Sequence, residues 1–480
     1  MPLSFHGRTG RPFRLPGASP DPGVRAFRGF VVAHLTSLLG TSMASVAVAF
    51  AVLATGGGGT ALGAVMAARI LPLTALLLVG GAVADRLGGR AVMLAADLLR
   101  CGAQAAFALL LVTGADALPG LLAVSVLGGV GEGLFTPALA ALVPRLVPAG
   151  RLVGANLALQ GARSSATVAG PVLAGLFTAV SGPAAVLVLD AATYAVSVLV
   201  LLRLPARAPA PGRSPSLARD LREGWSLFRS QTWLWATTAH VCLMNLLVWG
   251  PFLVLGPVLA EAGAGAGGDG AGAWGVVMGV YGAGAAVGAL PLLRRPPTRP
   301  LRLAALASLG WALPSATLAT GADTAWVCVA ALVCGACSAV HGTLATATVQ
   351  QWAPADQQGR LAAFGSLGAF VLGPVGLVLA GPLAETFGVR TVLAAGALWM
   401  PLGVAAVLAV PAVRRGTPPA APTAPAHPTA SPGAGAVVPG PVSRAVRPLP
   451  QDLQGGTEGD QQGDEGHERG EGRHPQAPTG

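Results

Sequence analysis

The sequence contains no lysine, and acidic residues are scarce as well. Its 480 residues include 30 basic residues, all of them arginine, and 20 acidic ones, so that 10% of the chain is charged. A soluble domain usually carries about 25% charged residues. The chain therefore has too little charge to cover a water-exposed surface. The missing lysine also excludes a phosphate-binding loop of the Walker A type, and with it an ATPase.

Cysteine is rare too, and its placement argues against a metal or redox site. All five cysteines fall within apolar stretches, where cysteine behaves as a small buried hydrophobe. Cys334 and Cys337 are spaced as C-x-x-C, but no second pair and no nearby ligand cluster accompanies them. The sequence shows no paired carboxylates, no H-E-x-x-H and no nucleophile elbow. We therefore expect no metal, no cofactor and no catalytic residue.

Apolar residues, in contrast, arrive in long blocks. They make up 53% of the chain, and the mean hydropathy is +0.64. The blocks are about twenty residues long, which is the length of a membrane-spanning helix. They lack the alternation typical of barrel strands, so we predict an all-α membrane protein with twelve spans. The predicted spans are residues 30–54, 61–83, 91–113, 118–142, 159–180, 183–202, 233–259, 273–293, 301–320, 324–346, 361–383 and 389–410.

These spans fall into two halves of six. A pattern around residues 148–152 and 170–175 recurs at 354–361 and 373–375, an offset of roughly two hundred residues, as expected for a duplicated six-helix unit. The alternative is chance recurrence of Gly-Pro pairs. The predicted organisation is a basic N-terminal segment (1–28), a six-helix half (29–203), a connector (204–230), a second six-helix half (231–410) and a disordered tail (411–480).

Arginine marks one side of the predicted bundle. Arginines precede the first span and follow every even-numbered span, while the connections on the other side carry mainly acidic residues. The positive-inside rule then places both termini in the cytoplasm, which requires an even number of spans. We therefore predict a multi-pass protein of the cytoplasmic membrane.

The most specific motif runs from the second span into the third. Residues 81–90 read G-A-V-A-D-R-L-G-G-R, with R-x-x-P before them at 69–72 and D-x-x-R after them at 97–100. This pattern resembles the loop motif of the major facilitator superfamily, in the longer form of the branch that includes enterobactin exporters. The resemblance implies the major facilitator fold, with twelve helices in two pseudo-symmetric halves. The motif residues are Gly81, Asp85, Arg86, Arg90, Asp97 and Arg100.

Each part of this motif has a physical interpretation. Gly81 would allow close helix contact, and Asp85 would face a helix N-terminus, where an anion is stabilised. Arg86 and Arg90 could pair with carboxylates, of which Asp97 is the nearest. Together these residues indicate a gate that opens and closes as ion pairs break and form. The alternative is a charge cluster that only sets the topology.

A second motif lies in the fifth span, where residues 170–175 read G-P-V-L-A-G. It resembles the motif of antiporters in the same superfamily. Gly170 and Gly175 would let helices cross closely, and Pro171 would bend the backbone. The motif favours efflux, whereas the alternative is a structural bend with no bearing on direction.

Polar residues within the spans are the candidate proton or substrate site. A carboxylate at the helix centre costs about 2.5 to 3.5 kcal/mol, so Glu132, in a glycine-rich stretch of the fourth span, is the first candidate. Its glycines are expected to admit water or substrate. It could exchange a proton for substrate, form an interhelical hydrogen bond, or pair with Arg163. Further candidates for this cavity are Asn156, Gln160, Arg163, His240 and Asn245.

Together these features predict a proton-coupled exporter of a small drug-like, antibiotic or siderophore-like molecule, acting as a monomer by rocking of the two halves. The expected partners are a small-molecule substrate, the proton gradient and the lipid bilayer. Nucleic acid is not expected, because the arginines lack interleaved aromatic residues. A nutrient or metabolite facilitator is the alternative, and an intramembrane sensor or enzyme is the more remote one.

Overall fold

The computed structural model of the protein describes residues 22–204, 228–263, 270–295, 297–352 and 372–415, together with residues 222, 225 and 226. Within these ranges every regular element is a helix. Ten of the described helices are long and apolar enough to cross a membrane. Most of the predicted N-terminal segment and connector, the start of the eleventh span, and the tail beyond residue 415 lie outside the described residues.

The first half of the chain forms six helices. A single helical element, Leu152–Arg203, accounts for the last two of them, because Gly182 interrupts it with a φ of 78°. Residues with a side chain rarely adopt this backbone conformation. We call residues 152–181 α5 and residues 183–203 α6, which confirms the predicted break between the fifth and sixth spans. The preceding helices are Pro22–Ala54 (α1), Gly58–Leu87 (α2), Gly89–Thr113 (α3) and Leu118–Leu146 (α4).

The second half supplies the helices of the remaining spans. The helix of the seventh span contains a π-helical turn at Asn245–Trp249. The helix of the ninth span contains a 3₁₀ turn at Ser308–Trp311. A short helix, Pro411–Arg415 (α13), extends the chain into the predicted tail. The others are Thr232–Glu261 (α7), Gly270–Val287 (α8, followed by the turn Leu290–Arg294), Pro300–Thr320 (α9), Thr324–Trp352 (α10), Gly373–Phe387 (α11) and Val389–Ala409 (α12).

Several helices are longer than the apolar blocks that predicted them. The helices α4, α5 and α10 extend four to seven residues beyond the predicted spans, all toward the same side of the bundle. Hydropathy marks only the part of a helix that suits lipid, whereas backbone hydrogen bonds continue into the polar region. We call this side, which holds the connections 147–151 and 295–299, the arginine-rich face. The opposite side, with the connections 55–57 and 321–323, is the arginine-poor face.

The apolar core joins the two halves at the arginine-poor face. There, Phe50 of α1 and Leu255 of α7 belong to one cluster that draws on helices of both halves. At the arginine-rich face the described core divides into separate clusters. One surrounds Phe30 in the first half, and another surrounds Trp233 in the second. The two halves are therefore packed together at the arginine-poor face.

Small residues make this contact between halves close. Gly63 of α2 packs on the carbonyl of Leu377 in α11, and Gly381 of α11 packs on the backbone of Thr60 in α2. A side chain at either glycine would overlap the opposite backbone, so only glycine permits this helix separation. Thr60 Oγ1 also donates a hydrogen bond of 2.7 Å to Glu385 Oε1. The contact between α2 and α11 thus combines backbone packing with one polar link.

Candidate functional site

A cavity of about 320 Å³ lies within the first half, enclosed by α1, α2, α3, α4 and α6. It sits midway along these helices. Most of the wall surface is apolar, although nine of the seventeen lining residues have a polar or charged side chain. The polar lining residues are Thr41, Ser42, Ser45, Arg69, Arg100, Gln104, Ser125, Glu132 and Tyr194; the others are Val48, Val65, Met66, Ile70, Leu73, Phe107, Val124 and Gly128.

Glu132 of α4 forms an ion pair with Arg69 of α2 in this cavity. The Arg69 guanidinium donates from Nε and Nη2 to Glu132 Oε2, at 3.1 and 2.9 Å. Both side chains keep part of their surface accessible, 23% for Arg69 and 29% for Glu132. The sequence offered Arg163 as a partner for Glu132. The structure gives it Arg69 instead, because α2 packs directly on α4.

The glycines around Glu132 mainly bring neighbouring helices close. Gly129 and Gly133 face the carbonyls of Arg69 and Leu73 in α2, while Gly131 faces α3. The expectation that these glycines admit water or substrate is wrong for those three, since helix backbone occupies the space beside them. Gly128 differs, because it lines the cavity and has no atom within 4 Å of the position that a side chain would occupy.

Asp97 and Arg100 form a second ion pair, one turn apart on α3. Asp97 is fully buried and accepts a hydrogen bond of 2.6 Å from Ser197 Oγ of α6. The Arg100 guanidinium lies over the rings of Phe135 and Tyr194, at 4.1 and 4.5 Å from their centroids. Cation–π contacts of this kind hold a guanidinium in a fixed position. Arg100 thereby joins the predicted loop motif to the cavity wall.

The rest of the loop motif lies at the arginine-rich face. Arg90 donates from Nε and Nη2 to the carbonyl oxygens of Leu201 and Leu202, at 2.8 and 2.9 Å. These are the last carbonyls of α6, where a cation is favourable. The partners of Arg90 are therefore carbonyls and not the predicted carboxylate, since Arg100 engages Asp97. Arg86 is exposed near the end of α2.

The surroundings of Gly81 and the side chain of Asp85 lie outside what the structure describes, although both residues belong to α2. Their roles in the loop motif stay predictions.

The Gly-Pro motif of α5 contacts helices on two sides. Gly170 packs on Ser42 of α1, and Gly175 packs on the backbone of Ala271 and Gly272 in α8. Because α8 belongs to the second half, Gly175 is part of the contact between halves. Pro171 lies within α5, and its carbonyl oxygen faces Gly275 of α8.

The remaining predicted site residues lie away from the described cavity lining. Asn156 donates to the Leu152 carbonyl of its own helix, and Gln160 and Arg163 are exposed on α5. In the second half, His240 Nε2 lies 2.9 Å from Ser308 Oγ, and the Asn245 amide donates to Val241 O at 3.0 Å. Among the described residues, no group of three His, Cys, Asp or Glu side chains could hold a metal ion.

Three polar residues of the site, Arg69, Gln104 and Asp190, are not among the candidates predicted from the sequence. Gln104 of α3 donates from Nε2 to Asp190 Oδ2 of α6 at 2.6 Å, and Asp190 is fully buried. Arg69 is the first residue of the R-x-x-P pattern, and the pattern alone does not predict its place in the cavity. Each is a charged or amide side chain in the middle of an apolar span, which is a signal of function because such groups are costly in lipid.

Comparison with known proteins agrees with this architecture. The family description "Major Facilitator Superfamily" matches residues 30–376. Over 404 residues the chain is 29% identical to the multidrug efflux pump Tap of Mycolicibacterium fortuitum, covering 78% of this chain and 93% of that protein. The match to the family spans most of both predicted halves.

Solved structures show the same fold. The nucleoside transporter NupG superposes with a TM-score of 0.66 at 14% identity, covering 80% of this chain and 98% of that one. A D-xylose-proton symporter gives a TM-score of 0.61 at 14% identity, with coverages of 82% and 98%. The predicted fold class is thus confirmed. The chain belongs to the major facilitator superfamily and is a membrane transporter, not an enzyme.

Proposed function

We propose that this transporter exports a small drug-like, antibiotic or siderophore-like molecule and draws its energy from the proton gradient. The observation that carries the proposal is the 29% identity to a multidrug efflux pump over 78% of this chain. The cavity supports it, because a mostly apolar wall with convergent polar groups suits drug-sized ligands. We propose further that it acts as a monomer.

The proposed location is the cytoplasmic membrane, with both termini in the cytoplasm. Arginines cluster at the connections of the arginine-rich face, and the positive-inside rule assigns such loops to the cytoplasm. In this orientation, the shared core at the arginine-poor face lies outside. The described conformation then has its halves closed toward the exterior, which is the state that would load cargo from the cell.

Transport would follow from rocking of the halves about the cavity. The contacts of α2 with α11 and of α5 with α8 would open, while the arginine-rich face closes. The loop motif would stabilise that second state as the predicted gate. Because the Arg69 guanidinium already pairs with the Glu132 carboxylate, we assign this pair to substrate binding and not to proton transfer. A polar or cationic group of the cargo would compete with Arg69 for Glu132.

Inverted membrane vesicles from a host that lacks its own drug pumps test this proposal. A panel of fluorescent dyes, antibiotics and siderophores is offered outside the vesicles while respiration acidifies their interior. We expect accumulation of at least one compound above vesicles without the protein, and loss of that accumulation with a protonophore. Accumulation that a protonophore leaves unchanged would rule out proton drive. Movement only toward the side corresponding to the cytoplasm would favour the nutrient or metabolite facilitator.

A further inference from the structure

One buried acid of the first half has no part in the mechanism above. Asp190 lies inside α6 with none of its surface accessible. Its carboxylate accepts a hydrogen bond from Gln104 Nε2 at 2.6 Å, and Thr193 Oγ1 lies 3.4 Å from Asp190 Oδ1. On the remaining side, the backbone of Gly40 in α1 packs against the carboxylate. Asp190 is thus sealed among neutral groups.

The lack of a cationic partner distinguishes Asp190 from the other described acids of this half's interior. Glu132 is paired with Arg69, and Asp97 is paired with Arg100. Neither of these ion pairs, the two found among the described residues, includes Asp190. An unpaired carboxylate buried from water is costly, whereas its protonated form is neutral. Of the three acids, Asp190 is therefore the one whose unpaired charge is removed when it binds a proton.

Charged groups of three neighbouring helices act on Asp190 through space. These groups are Arg69 of α2, Arg100 of α3 and Glu132 of α4, and all three line the cavity that Gln104 also lines. The contacting segment of α1, at Gly40, contributes no charge. Because both arginines are engaged by other acids, substrate that draws Arg69 away from Glu132 changes the field at Asp190. The site is therefore electrostatically linked to cavity occupancy without touching the substrate.

Gln104 provides a direct link between Asp190 and the cavity, since its side chain also belongs to the cavity lining. When Asp190 is ionised, the Gln104 amide N–H donates to it and the amide oxygen is the free end. When Asp190 is protonated, its O–H can donate to that oxygen, and the NH2 group becomes the free end. The amide has one donor end and one acceptor end. The protonation state of Asp190 thus decides which end is presented to cargo.

We propose that Asp190 binds and releases the proton that drives transport, and that Gln104 transmits its protonation state to the cavity. This inference rests on the proposed proton-driven export. The step is a proton transfer: on the outer side one O–H bond of a hydronium ion breaks as the O–H bond of the Asp190 carboxyl forms, and on the cytoplasmic side the carboxyl returns the proton to a water molecule. Asp190 is the proton-binding residue, and Gln104 is a positioning residue.

Reconstituted protein with ethidium as the probe tests the proposal. Wild type, Asp190→Asn and the loop control Asp116→Asn are compared for accumulation driven by a pH gradient and for ethidium exchange without a gradient. We expect Asp190→Asn to lose at least tenfold in gradient-driven accumulation while it keeps exchange, and Asp116→Asn to match wild type. Undiminished accumulation by Asp190→Asn would overturn the inference. Absence of gradient-driven accumulation in wild type would overturn the proposed proton drive itself.

A second measurement covers the case in which Asp190→Asn does not fold. In detergent, ethidium binding to wild type should release protons, detected with a pH dye in weak buffer. Gln104→Leu leaves Asp190 in place but removes the amide, so we expect ethidium binding with at least a fivefold smaller proton release. Release equal to that of wild type would refute the role of Gln104, because a merely structural glutamine would leave proton release unchanged.

Discussion

Arg69 and Arg100 are charged side chains in the described interior of this protein, and each lies beside an acidic partner. A charged residue near the centre of a membrane helix costs about 2.5 to 3.5 kcal/mol on insertion scales. Arg69 recovers part of that cost through Glu132, and Arg100 through Asp97 and two aromatic rings. The pairs are therefore interdependent, and removing one member should harm the other.

The pair of Arg69 and Glu132 can be tested by a double-mutant cycle. Arg69→Gln and Glu132→Gln each leave one charge unpaired, so each should lower the free energy of unfolding by about 1–3 kcal/mol. The double variant should lose less than the sum, because it leaves no unpaired charge. Thermal unfolding in detergent measures all four proteins. Strictly additive losses would contradict the ion pair.

At this scale, the sequence could mark candidate residues but not their partners. Glu132 is recognisable as a lone carboxylate in an apolar span, and Arg69 carries the same signal. Which arginine meets Glu132 depends on which helices are neighbours, and that is a property of packing. Arg163 is closer in sequence to Glu132 than Arg69 is, yet the packing of α2 on α4 selects Arg69.

Helix pairs in this protein are brought close by glycine at selected positions. In α4, Gly129 faces the backbone of α2, whereas Gly128, its neighbour along the chain, faces open space. The two residues look equivalent in the sequence, since both belong to the same glycine-rich stretch. Their difference arises because adjacent positions on a helix point about 100° apart, so only one can face a given neighbour.

This contrast gives a matched pair of substitutions. Gly129→Ala places a methyl group against the Arg69 carbonyl and should destabilise the protein by about 1–3 kcal/mol. Gly128→Ala meets no atom and should be neutral, or stabilising by up to about 1 kcal/mol, because alanine favours the helix. Thermal unfolding of the two variants measures this difference, and we expect a lower midpoint for Gly129→Ala than for Gly128→Ala. Equal midpoints would mean that α2 and α4 do not approach as described.

The whole molecule is organised around contacts between its halves at the arginine-poor face. Gly63, Gly381 and Gly175 each lie at a crossing of helices from different halves, and Thr60 and Glu385 add a hydrogen bond. If the halves rock during transport, these contacts must separate in every cycle. Holding them together should stop transport without disturbing either half.

Cysteines at Thr60 and Glu385 provide that restraint. In a background without the five native cysteines, Thr60→Cys with Glu385→Cys places one thiol on each half at the contact where these side chains meet at 2.7 Å. A short bifunctional methanethiosulfonate reagent should link the two thiols. Efflux should fall to about a tenth or less and return on reduction, because alternating access requires this contact to open. Vesicle efflux before and after reduction is the measurement.

A pair within one half serves as the control. Tyr281 and Ser338 both belong to the second half, with their hydroxyl oxygens 3.2 Å apart. Tyr281→Cys with Ser338→Cys, linked by the same reagent, should show equal efflux before and after reduction, since α8 and α10 move together. Inhibition by both cross-links alike would argue against motion between halves.

The sequence by itself determined that lipid surrounds the helices, how many times the chain crosses the membrane, and to which family it belongs. Each of these follows from local properties, namely block length, arginine placement and a short motif, that need no knowledge of neighbours. The tertiary structure alone decided that Arg69 meets Glu132, that Gln104 meets Asp190, and that Arg90 ends at the carbonyls of α6. Those contacts join residues 63 to 111 positions apart. Lipid solvates every apolar helix face equally well, so only packing between helices can select such partners.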